Sequence, residues 1–115
     1  MITTIKSTQK SDKFPKCCLN VSADIINRNL SAKLEIFKSH TTPTELIDIP
    51  ETVFSALILL TKGDAKGYIL KDIRESNSAI AYMDIEFLNE LAILCSKARA
   101  DYVLVMKAIK NENSF

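Results

Sequence analysis

Between Cys17 and Phe37 the chain alternates apolar and polar residues with a period of two, twice over. Cys17, Leu19, Val21, Ala23 and Ile25 point one way, and Cys18, Asn20, Ser22, Asp24 and Ile26 the other. Beyond Asn27-Arg28-Asn29, the residues Leu30, Ala32, Leu34 and Ile36 oppose Ser31, Lys33, Glu35 and Phe37. Successive strand residues project to opposite faces, so this pattern specifies two half-buried strands. Asn accepts left-handed backbone angles more readily than most residues, which suits the link to a tight three-residue hairpin. A helix over Ala23 to Asn29 is the competing reading of the link. A sheet apolar on one face needs a second layer to cover it.

Helical signals follow. Thr42-Pro43-Thr44-Glu45 has capping-box spacing with Pro at the first helical position, and Asp48 with Glu51 repeats that spacing around Pro50. One turn near Pro43 to Asp48 is expected, then a main helix from Glu51 to Lys62 closed by Gly63. Gly67 to Ile73 and Ala79 to Met83 read as a second hairpin around Arg74-Glu75-Ser76-Asn77-Ser78. The clearest helix starts at Asp84, a good N-cap, with Met83 and Leu88 at the staple positions. Leu88, Leu91, Ala92, Cys95 and Ala98 form its apolar stripe. Tyr102 to Ile109 is rich in strand-favouring residues and reads as a central strand. The expected fold is α+β, a two-layer sandwich. It has an antiparallel or mixed sheet of about five strands and two main helices, in the order ββαββαβ. Residues 1–15 are expected to be a flexible basic tail, although an Ile2 to Ile5 strand is weakly signalled. Residues 16–110 form a single domain, and 111–115 a frayed end.

Composition bounds the function. In 115 residues, 47% are apolar and 25% charged, the proportions of a globular domain able to bury a core. The net charge of +1 provides no global field toward nucleic acid or anionic lipid. No apolar run reaches the ~18 residues of a membrane helix, and the N-terminus lacks the apolar core of a secretory signal. The three cysteines form no framework, which points to a reducing compartment and a cytoplasmic protein.

Chemistry-bearing residues are sparse. Cys17 and Cys18 are adjacent, so on a strand they face opposite ways and cannot chelate one ion together. Cys17 and Cys95 read as small core residues. A thiol nucleophile would need a base, and His40 is the single imidazole. Asp84 and Glu86 are explained by capping and the helix dipole, Glu90 by a solvated face, and Asp72 with Glu75 by a mixed-charge turn. The two glycines, Gly63 and Gly67, form no phosphate-binding loop. No residue is assigned a catalytic, metal or cofactor role, and the chain is read as a non-enzyme.

Two functional readings remain. Val53 to Leu60 is apolar on nearly every side, and Tyr102 to Met106 is apolar on both faces of the expected strand. This is more apolar surface than a two-layer fold needs to bury. It points to a small protein-interaction module (adaptor, regulator or inhibitor) or a homodimer, with Phe54, Ile58, Leu59, Val103 and Val105 as candidate interface residues. The alternative is a nucleic-acid-binding regulator. It would use Lys10, Lys13 and Lys16 of the tail with Lys62, Lys66, Lys71 and Arg74, although the chain lacks Trp and the aromatic-basic interleaving of single-strand binders.

Overall fold

The computed structural model describes residues 3–14, 17–36, 45–63 and 65–113. Four strands, β1 (Thr4–Lys10), β2 (Cys17–Asp24), β3 (Asn29–Ile36) and β4 (Glu45–Ile49), form one antiparallel meander in the order β1-β2-β3-β4. Helices α1 (Glu51–Leu60), α2 (Lys66–Ser76), α3 (Ser78–Ala81) and α4 (Ile85–Asn113) follow. The class is α+β as expected, with four strands instead of five and the helices gathered after the sheet.

The central hairpin is β2–β3, and its register sets the core. Ala23 faces Leu30, Val21 faces Ala32, Leu19 faces Leu34 and Cys17 faces Ile36. Ile47 and Ile49 of β4 extend two of these rows, facing Leu34 and Ala32. The turn holds four residues, not three, because β3 already starts at Asn29. Asp24 organises it, accepting hydrogen bonds from the Ile26 and Asn27 backbone N–H groups at 3.0 and 3.2 Å and from Asn27 Nδ2 at 2.8 Å. The left-handed position falls on Arg28, at φ 55°, and not on either asparagine.

Several expectations are corrected. Residues 4–10, read as tail, form β1. Ile5 is buried opposite Ala23, and Ser7, opposite Val21, is buried too. A stretch too polar to order itself is held by a neighbouring strand and by α4. Glu45–Ile49 is a strand and not a helical turn, since Ile47 and Ile49 alternate onto the core face; Pro43 and Thr44 lie outside the described residues. The cap of α1 is Pro50, with no side-chain hydrogen bond, so the Asp48–Glu51 pair plays no capping part.

The second hairpin is replaced by α2 and α3. Ile69, Leu70 and Ile73 share a helical face, with Ile73 buried. Asn77, in extended backbone, ends α2 and caps α3 by accepting the Ala79 N–H at 2.9 Å, and its Nδ2 donates to the Asp48 carbonyl at 3.1 Å. Tyr102 to Ile109, read as a central strand, is the second half of α4, which passes through the expected frayed end to Asn113. Asp84 does cap α4, accepting the Phe87 N–H at 2.7 Å. Leu88, Leu91, Ala92, Cys95 and Ala98 are all buried as expected.

Helices α1 and α4 cover the same sheet face. α4 lies over β1 and β2, and α1 lies over β3 between α4 and α2. That position accounts for α1's excess of apolar residues. Val53, Phe54, Leu57, Ile58 and Leu60 are buried because the sheet, α4 and α2 surround the helix on three sides. The opposite sheet face carries Lys6, Thr8, Asn20, Ser22, Ser31 and Lys33 and stays uncovered by the helices.

Candidate protein-binding groove

α1 and α4 run antiparallel, so the start of α1 lies by Tyr102 and its end by Ser96. Thr61, just past α1, hydrogen-bonds the Ile58 carbonyl at 2.7 Å and sits 3.3 Å from Ser96 Oγ. Along the seam lie three depressions of about 170, 330 and 390 Å³. Leu30, Glu51 and Tyr102 are shared by the first and second, and Ile58, Lys62 and Arg99 by the second and third, which makes one continuous groove.

Helical spacing builds each wall. On α1 the residues Glu51, Ser55 and Ile58 fall on one stripe, three or four apart, and Lys62 follows just past the helix end. On α4 the matching wall is Arg99, Tyr102, Val103 and Met106. α4 is pinned at this level by Asp101, which accepts Ser7 Oγ at 2.9 Å and Gln9 Nε2 at 2.6 Å from β1. Among the described residues, none of α4 beyond Ala98 is buried, yet Tyr102, Val103, Leu104, Val105, Met106 and Ile109 all fall there. Leu104 is 66% exposed and Met106 46%.

Four of the five expected interface residues meet in this groove. Phe54 and Ile58 form its buried floor, Leu59 stands at its rim 49% exposed, and Val103 lies on the opposite wall. Val105 does not join them. Two residues apart on a strand would have placed Val103 and Val105 on one face, but on a helix they are about 200° apart. Glu51, Arg99, Tyr102 and Met106 were not anticipated. For Tyr102 a signal was present in the spacing of Ala98, Tyr102, Val105 and Ile109, which continues the helical stripe begun at Leu88.

The basic residues divide between separate parts of the molecule. Lys10 and Lys13 lie around a loop tied to the first half of α4 by Ser11–Glu90 at 3.0 Å and by the Phe14–Phe87 edge-to-face pair at 5.1 Å. Lys66, Lys71 and Arg74 ride on α2, on the far side of α1. Lys62 belongs to the groove, and Lys16 lies outside the described residues.

The cysteines are free and buried. Burial pushes all three thiols up, and Cys95 goes from an ordinary 9.0 to about 12. At Cys18 the Glu35 carboxylate adds to that rise while Lys10 opposes it. This direction disfavours the thiolate that a nucleophile requires. His40 is outside the described residues. Among the described residues no group of three or more His, Cys, Asp or Glu is gathered to hold a metal ion, and no helix is long and apolar enough to cross a membrane. No family model matches the chain, and neither a curated protein nor a solved structure matches it.

Proposed function

We propose that this chain is a small non-enzymatic protein-interaction module, an adaptor, regulator or inhibitor that works by binding another protein in the α1–α4 groove. The observation that carries the reading is the second half of α4. Six large apolar residues from Tyr102 to Ile109 lie on a helix none of whose described side chains is buried after Ala98. A helix held only by its own fold needs one apolar stripe, and apolar surface beyond that is characteristic of interaction sites. The groove beside it has a packed floor and an exposed rim, the usual form of a helix- or peptide-binding surface.

The test is affinity capture from the native host's lysate, with and without nuclease, using the wild-type chain and two rim variants, Leu59→Asp and Met106→Asp. Both positions are about half exposed, so the fold tolerates the change. Tyr82→Asp, at a position 92% exposed away from the groove, is the control. The proposal expects a specific protein that survives nuclease, is kept by Tyr82→Asp and is lost by both rim variants. A catch that vanishes with nuclease moves the function to nucleic acid. A catch indifferent to the rim variants removes the groove from it.

A further inference from the structure

The groove is apolar along its floor but not evenly charged along its length. Among the described residues, its end near Thr61 is lined by two ionisable groups, Lys62 and Arg99, beside the hydroxyls of Thr61 and Ser96. Neither cation makes an ion pair among the described residues, where the ion pair found is Lys33–Asp48. The other end carries two acids, Asp24 and Glu51, against one base, Arg28. An anion on a partner would therefore meet complementary charge at the Thr61 end, where Lys62 and Arg99 are both exposed, and not at the end that holds Asp24 and Glu51.

Shape narrows the occupant further. The three depressions stand in line along a helix seam, spanning the length of α1, whose ten residues extend about 15 Å. Depressions in series fit side chains projecting at i, i+3 or i+4, and i+7 from a single helix, the usual mode for a groove between helices. A small amphiphile such as a fatty acid would satisfy the cations, but would leave the exposed rim at Leu59 and Met106 uncovered. A basic or neutral helix would cover the rim and leave Lys62 and Arg99 unneutralised.

We infer that the groove binds an acidic amphipathic helix of about three turns, its apolar anchors in the three depressions and an Asp or Glu set between Lys62 and Arg99. This rests on the interaction reading and names the chemistry of the partner. The carboxylate supplies register and on-rate, the apolar anchors most of the affinity.

The test uses a displayed library of three-turn helices with fixed Leu, Ile, Phe or Met anchors and all other positions varied. It is selected on the wild-type chain and counter-selected on Leu59→Asp. Enriched peptides should carry Asp or Glu at one recurring position relative to the anchors. Their affinity should fall roughly tenfold or more on Lys62→Glu with Arg99→Glu, weaken with added salt, and be restored when the peptide's acid is changed to Lys. Groove-dependent peptides without a recurring acid overturn this inference and leave the interaction reading standing. No groove-dependent enrichment overturns both. Displacement of the peptide by oleate at equal concentration assigns the site to an anionic amphiphile and overturns the helix.

Discussion

The Asp84 carboxylate, 2.7 Å from the Phe87 N–H, starts a helix that makes up a quarter of the chain. Replacing it with Ala leaves that donor to water, and Asp84→Ala should lower stability by about 1 kcal/mol in a denaturant titration, with Asp84→Ser recovering most of the loss. An unchanged midpoint would mean the cap is ornamental. Cys95 makes a prediction of another kind. Its folded value, about 12, lies above the ordinary 9.0. Its contribution is therefore complete below pH 9 and is lost as pH rises toward 12, because the unfolded chain ionises first. Wild type should lose stability between pH 8 and pH 10.5 more steeply than Cys95→Ala, and parallel pH profiles for the two would contradict the assignment. The same burial should leave Cys95 unlabelled by alkylating reagent in the native state at neutral pH.

Among the elements, β1 and α4 depend on each other. Ser7 is buried on the core face of an otherwise polar strand, and Asp101 satisfies its hydroxyl. Asp101→Ala should cost roughly 1–3 kcal/mol, since Ser7 then loses its acceptor, and most of that should return in the double variant with Ser7→Ala. Additive losses in the two single variants would show that the residues are not coupled. This pairing also explains what could be read from the chain and what could not. The β2–β3 hairpin and the first half of α4 were legible because each carries its own periodicity, from Cys17 to Ile36 and from Leu88 to Ala98. β1 was not legible, because Thr4–Lys10 has one buried apolar residue, Ile5, and is ordered by contacts distant in sequence. Tyr102 to Ile109 was misread because its β-branched and aromatic content favours strand, while its position as the continuation of an established helix decides otherwise. The groove was half legible for the same reason. Phe54, Ile58 and Leu59 were found on α1 and Val103 on α4, whereas Arg99, Tyr102 and Met106 required the helix.

For the whole molecule, the helices cover one sheet face and leave on that side a groove with a buried apolar floor, an exposed rim and the cations Lys62 and Arg99, while the opposite sheet face carries mostly polar side chains. The arrangement separates a side suited to a partner from a side suited to water. Among the described residues it also separates Lys10 and Lys13 from the α2 cations Lys66, Lys71 and Arg74. The most direct measurement is amide hydrogen exchange across the chain, alone and in complex with the protein captured through the groove. Binding in the groove should slow exchange over residues 51–62 and 96–109 and leave β1 and β4 unchanged. Protection confined to β1 and β4, with α1 and the second half of α4 exchanging as in the free chain, would contradict it.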